Sequence, residues 1–531
     1  MTRTRIISII SILSLLLLTL SGCLETSDQV YSQAMQQSSK STPEESSEPE
    51  IDFDAPNYIG PSKDQIKEPE PLADDDLSGE LVIKSCYLHY KLPYLAKEFM
   101  ALHPNVTITF DIGIPTAEND LLTRAEREVR RESFYTQMRV ELASGEGDYL
   151  LYRMDERFHI PQLSRSGLIE DLWPYFENDP DLDSSEYFQP VLDAFSCDGK
   201  LPVIPVSFVF AAAYLNRGVL GEIDVEADAI NTVSVTQLLD WYEKAAESNS
   251  DLNLFFTSPD KETLFPIERT DYIDLDRGTS SFESPEFISF LERTQAINDQ
   301  DPDLDYETEQ GVMDSGLFNE QIRFQSTGSV LDSAFGLGPE LNEKFRNVAV
   351  KSRPAFAAIE SVMSYTLLLM DSSMEYAAGP YPLISSNGTL GLTSLDSFAI
   401  PSSCTSKGLA WEFIKYCISP RSEELVTFSH LGSPGLYTSD IPLSKTNFQN
   451  NLKYYAQNDD GNNIVVYNLD SVDVEAVTKK LEQVLSLPLV NSGSYGIDVQ
   501  EFLDEYYVNG LGTAEQCAKK IQDRVNIWLH E

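Results

Sequence analysis

The hydrophobic pattern divides the chain into three parts. Ile6 to Leu20 is almost wholly apolar, interrupted only by Ser and Thr. Residues 24–78 are rich in Ser, Gln, Glu, Asp and Pro, with few large apolar side chains. From residue 79 onward, apolar positions recur with the periods of strands and helices. Leu81-Val82-Ile83, following Gly79, is a short apolar run suited to a buried strand. Leu92, Leu95, Ala96, Phe99 and Met100 then repeat at helical spacing, with Lys91, Lys97 and Glu98 on the other face. His103-Pro104-Asn105 stops that helix. Val106, Ile108, Phe110 and Ile112 alternate with polar positions, as in a half-buried strand. Strand, helix, strand in that order predicts an α/β domain with a largely parallel sheet.

The same periodicities continue. Tyr135 to Ala143 reads as a helix ended by Ser144-Gly145-Glu146-Gly147, and Tyr149 to Tyr152 as the strand after it. Asp198-Gly199-Lys200 is a turn, and two prolines hold Leu201 to Pro205 extended. Val206 to Leu215 is a long apolar strand. Helices are expected over 234–247, Lys407 to Ile418 and Thr513 to Leu529, with a short strand at Ser397 to Pro401. The tryptophans Trp241 and Trp411 fall on the buried sides of amphipathic helices, and Trp173 falls in a loop. No internal repeat is visible.

The N-terminal apolar run changes the functional picture. Arg3 and Arg5 precede it and Leu20-Ser21-Gly22-Cys23 ends it, the layout of a secretory signal peptide, and short for a persistent membrane span. The last four residues resemble the bacterial lipobox. That resemblance implies that residues 1–22 are a lipoprotein signal peptide and that the Cys23 thiol carries a fatty-acyl (palmitate) anchor. An uncleaved N-terminal anchor is the alternative. Either way the body is expected at the extracytoplasmic face of the cell membrane. Residues 23–78 are expected to be the anchor followed by a disordered acidic tether, because so polar a segment cannot offset its ordering entropy.

Charge and cysteine usage narrow the partners. A net charge of −47 argues against nucleic acid and against direct adsorption to anionic lipid. Cys86, Cys197, Cys404, Cys417 and Cys517 are widely spaced, allow at most two pairs, and contain no Cys-x-x-Cys zinc spacing. The five His form no His-Glu-x-x-His set, and neither a Gly-x-Ser-x-Gly elbow nor a phosphate-cradling loop is present. Asp299 to Asp305 and Asp179 to Asp183 alternate carboxylates but depart from the calcium-loop frame. No catalytic residue, metal or cofactor is expected.

Four stretches then carry a resemblance. They are Leu81 to Ile108, Gly147-Asp148-Tyr149 with Ser166 to Leu172, Asp198 to Arg217, and Ala399-Ile400-Pro401 with Lys407 to Lys415. In this order they resemble the extracellular solute-binding proteins of bacterial ABC importers, the sugar type. The resemblance implies an α/β, two-lobed fold of the periplasmic-binding-protein type (type 2), with a hinge and an interlobe cleft. It places the first lobe at 79–205, the second at 206–325, a return to the first at 326–395, and a return to the second with C-terminal helices at 396–531. Leu201 to Pro205 is the hinge candidate, an ordinary edge strand being the alternative. Ligand residues are expected on loops at the carboxyl ends of strands: Tyr87, Asp155, Phe208, Asp332 and Phe335. Core packing is the alternative for the aromatics, and turns or helix caps for the aspartates. The implied partners are a small sugar or oligosaccharide, ABC permease subunits, and the membrane through the lipid, with the protein a monomer and no nucleic acid bound. A lipid-anchored glycan hydrolase and a surface interaction protein on the same fold are the competing readings.

Overall fold

The computed structural model describes residues 76–530 apart from 88–91, 116–121, 155–157, 251, 256–260, 298–354, 363, 365–366, 368–376, 395, 421–439 and 458–472. The first lobe opens with β1 (Gly79–Tyr87), α1 (Leu92–Leu102), β2 (Val106–Ile114), α2 (Arg124–Ser144), β3 (Leu150–Tyr152) and α3 (Ile160–Arg165). β4 (Ile204–Pro205) leads one residue later into β5 (Ser207–Asn216). The second lobe continues with α4 (Val235–Ala246), β6 (Asn253–Phe255), α5 (Pro285–Gln295), β7 (Ala355–Val362), β8 (Ala377–Ile384) and β9 (Leu390–Thr393). β10 (Ser397–Ala399), α6 (Lys407–Ile418), β11 (Ile441–Pro442), α7 (Lys445–Gln457), α8 (Val474–Val484), β12 (Leu489–Asn491) and α9 (Ala514–His530) follow.

Two sheets result, in a mixed α/β, two-lobed architecture. The first has the order β2-β1-β3-β10-β4, with β1 parallel to β2 and β3, and β10 antiparallel to its neighbours. The second has the order β12-β9-β5-β7-β6, with β8 and β11 also pairing with β5. Within the expected return to the first lobe at 326–395, the described strands lie in the second sheet instead, and 326–354 lie outside the described residues. β7, β8 and β9 all pair antiparallel with β5, in the second sheet. Against the expected return to the second lobe at 396–531, β10 and α6 belong to the first: Phe398 lies 5.1 Å from the Tyr152 ring and 5.9 Å from Phe413 of α6. The reason is β5: its ten residues need partners along both edges, and the strands of 355–393 supply them.

β5 is buried on both faces. Phe208, Phe210 and Ala212 belong to one apolar core, continuous with the first lobe, while Ala213 and Leu215 belong to the other. Such double burial explains why the sequence here is an unbroken apolar run rather than an alternating one.

α2 starts eleven residues before the helix expected from periodicity. Thr123 and Glu126 form a capping box that nucleates the earlier turns. Lys84 of β1, 5 % exposed, locks this helix over the sheet. Its ammonium reaches Asp111 and Glu141 at 2.8 Å each and lies 5.0 Å from the Tyr149 ring centroid. Burial alone would lower the Lys84 pKa, but the two carboxylates outweigh it and hold the pKa above its ordinary value.

Among the described residues, Cys86, Cys197, Cys404, Cys417 and Cys517 form no disulfide. In the acidic stretch at 179–183, Asp179 accepts from the Trp411 indole at 2.8 Å and from Lys415 at 3.1 Å, and Asp183 caps a short helix. These carboxylates serve the fold, and Trp411 is a buried helix residue as its pattern predicts. The stretch at 299–305 lies outside the described residues. Among the described residues no helix is long and apolar enough to cross a membrane.

Two carboxylates hold the excursion between β8 and β9. Glu268, 1 % exposed, accepts the Ser386 N–H at 3.0 Å. Asp271 accepts the Asn387 N–H at 2.7 Å and the Ser385 hydroxyl at 2.6 Å. Burial raises both carboxyl pKa values, against the pull of those hydrogen bonds. A folded pKa above the unfolded one favours the protonated form in the fold. The stabilising contribution is therefore complete below the ordinary carboxylate range and is lost as pH rises through the raised values. Denaturant melts from about pH 4 to about pH 7 should show the wild type losing stability relative to a Glu268→Gln/Asp271→Asn variant as pH climbs. A pH-independent difference would contradict the assignment.

Candidate functional site

Among the described residues the chain crosses between the sheets at two places. The first is Val206, between β4 and β5. The second is at 394–396, between β9 and β10. Backbone pairing ties the two, since the Val206 N–H donates to the Asp396 carbonyl at 2.7 Å; the Leu443 N–H, just after β11, donates to the Val206 carbonyl at 2.9 Å. The expected hinge at Leu201 to Pro205 thus ends at the first crossing.

Polar side chains around the crossings are buried and hydrogen-bonded. The Tyr152 hydroxyl donates to Asp396 Oδ1 at 2.5 Å. Burial first, then the Asp396 charge, pushes the Tyr152 phenol well above its ordinary pKa, so it remains a donor. Ser207 donates to Asp440 Oδ2 at 3.3 Å, Ser364 to the Asp440 carbonyl at 2.9 Å, and the Asn451 amide to Ser364 at 3.2 Å. Ser397 receives the Met154 N–H on its hydroxyl at 3.1 Å, and its carbonyl receives the Arg153 N–H at 2.8 Å. Arg153, at the carboxyl end of β3, holds φ at 58°, an uncommon conformation for a residue with a Cβ.

The carboxyl ends of β1, β2 and β3 share one end of the first sheet. Tyr87 closes β1 opposite Ile114 in the register. Half-buried, its phenol is raised by burial and by Cys86, while the Arg131 and Arg127 charges act the other way. Arg131 of α2 pairs with Glu128, yet its buried Nε has no hydrogen-bond partner. One turn on, Tyr135 packs edge-on to Phe158 at 5.0 Å. An aromatic face, a guanidinium with an unused donor and a strained strand end therefore lie along the carboxyl edge of this sheet.

Of the predicted ligand residues, Tyr87 stands at this edge. Phe208 does not present a face: it is 0 % exposed and packs against Phe188 at 6.1 Å, so its place is core packing on β5. Asp155, Asp332, Phe335 and the lipidation candidate Cys23 lie outside the described residues. Trp173 is partly buried and donates to Ser196 at 3.1 Å. Sequence reasoning missed Arg131, Arg153 and the Tyr152–Asp396 pair. Arg127 and Arg131, one turn apart on a helix that starts at the Thr123/Glu126 box, are the signal that could have found the first. The Tyr152–Asp396 pair spans 244 positions and has no local signature.

No protein-family model and no curated protein sequence matches the chain. Solved structures do. An ABC substrate-binding protein from Listeria monocytogenes in complex with cycloalternan is 14% identical, with 85% of this chain and 99% of that chain covered at a TM-score of 0.45. The sugar-binding protein MalE from Xanthomonas citri is 13% identical, with 85% of this chain and 98% of that chain covered at a TM-score of 0.49. A de novo designed cysteine esterase is 15% identical, with 86% of this chain and 99% of that chain covered, also at 0.49. Likeness at this level transfers neither ligand nor activity.

Two substitutions separate the roles assigned here. Tyr152→Phe should cost about 2 kcal/mol in denaturant unfolding, because it leaves a buried carboxylate short of a donor. Phe208→Ala should cost about 3–5 kcal/mol by opening a cavity between Phe188 and β5. A Phe208 variant of unchanged stability would return that residue to the ligand-contact candidates.

Proposed function

We propose that this chain is a membrane-tethered substrate-binding lipoprotein that captures an extracellular carbohydrate and delivers it to an ABC importer. The observation that carries the reading is the architecture: two α/β sheets joined by strand crossovers at Val206 and at 394–396, so that the lobes can change their mutual angle through few residues. The four sequence stretches in solute-binding-protein order support it, as does the apolar run ending at Cys23.

Solute is gripped between the lobes. It must touch both, because a ligand with equal affinity for open and closed forms shifts nothing. Tyr87 supplies an aromatic face for sugar C–H surface, and Arg131 supplies planar donors for hydroxyls. Asp155, Asp332 and Phe335 complete the set. Cys23 carries the lipid, and the acidic segment 24–78 keeps the body near its permease, raising effective concentration without a new contact. The protein acts as a monomer and does no covalent chemistry.

Titration of the purified chain with monosaccharides, oligosaccharides and peptides tests this. A bound sugar should raise the melting temperature with saturation, by about 2.7 kcal/mol of stability at a hundredfold excess over Kd, and should be recovered unchanged. Tyr87→Ala and Arg131→Ala should weaken that binding while leaving the unliganded melt nearly in place. Consumption of a glycan would replace the reading with hydrolysis. Indifference to all small solutes, with capture of a macromolecule, would replace it with a surface interaction role.

A further inference from the structure

α3, six residues long, reaches from the first lobe to the second. Ile160 and Leu163 pack it into the first core. From its other side, Gln162 Nε2 donates to the backbone carbonyl of Trp528 at 2.9 Å, and Arg165 Nη2 donates to the carbonyl of Leu275. Both acceptors belong to residues packed in the second core. The Trp528 carbonyl lies in the last turn of α9, where the helix has no internal donor for it. Arg165 is aimed by its own lobe, through an ion pair from Nε to Asp198 at 2.7 Å. His159, which caps α3 with φ at 48°, sets its ring edge-on to Trp528 at 5.9 Å and 74°.

This contact is closed but not fully satisfied. Trp528 is 1 % exposed, and its indole N–H has no hydrogen-bond partner; Gln162 Oε1 is buried and unpartnered too. Buried polar atoms without partners cost free energy that water would return on separation. The contact therefore combines two interlobe hydrogen bonds and a ring contact with a built-in incentive to open.

We propose that α3 is a reversible latch, holding the two lobes together before any solute binds and setting how far the unliganded protein opens. The inference rests on the two lobes and on no particular ligand, so it stands or falls apart from the carbohydrate reading. Two such hydrogen bonds bias an open–closed ratio by roughly tenfold.

Small-angle scattering and tryptophan emission of the unliganded full chain test it, comparing wild type with Gln162→Ala/Arg165→Ala. The variant should keep a cooperative melt and shift its interatomic distance distribution to longer values. Its emission should move to the red as Trp528 meets water, a shift absent when Trp528→Phe is added. Identical scattering and emission would overturn the latch. Should the double variant not fold, Arg165→Gln alone should give a smaller change in the same direction, and no change there would overturn it equally.

Discussion

The rest of this structure depends on one strand that is buried on both faces. β5 carries Phe208, Phe210 and Ala212 into one core and Ala213 and Leu215 into the other. A strand so placed cannot expose an edge or a face without a large loss of apolar burial. It therefore recruits β7 along one run of residues and β8, β9 and β11 along others. Its own start, one residue after β4, makes it the continuation of the first sheet into the second.

That continuity constrains how the lobes can move. The apolar core running through Phe188, Phe208 and Phe448 glues the region behind the crossings, with Phe188 within 6.1 Å of both other rings. Around it, Tyr152 bonds Asp396, and Ser207, Asp440, Ser364 and Asn451 form a hydrogen-bonded chain, in low dielectric, where geometry counts for more than in water. Among the described residues the two sheets are joined at Val206 and at 394–396. The carboxyl end of the first sheet carries Tyr87 and Arg131, and α3 meets α9 through Gln162 and the Trp528 carbonyl.

Charge is managed differently in the interior than at the surface. A chain of net charge −47 pairs the carboxylates that meet its core. Lys84 neutralises Asp111 and Glu141, Lys415 and Trp411 hold Asp179, and backbone N–H groups hold Glu268 and Asp271. Each of these anchors an element: α2 on the first sheet, α6 on the 179–183 segment, the β8–β9 excursion on the second lobe.

Much of the fold was legible because local periodicity reports burial. The apolar run of β5 announced a long strand, the spacing of Leu409, Phe413, Ile414 and Cys417 announced α6 to its last residue, and the strand–helix–strand order of 79–114 announced a parallel sheet. Periodicity does not say which sheet a strand joins. The allocation of 355–393 to β5 and of 397–418 to the first lobe was decided by tertiary pairing, since a strand's partners lie far away in sequence and its own pattern is the same beside any of them. In the same way, Tyr87 at a strand end was visible from the chain, whereas Phe208 as core, Arg131 beside Tyr87, and the Tyr152–Asp396 bond required the folded molecule. Side-chain chemistry is written residue by residue, but the contacts that give it a role form only when distant segments are packed together.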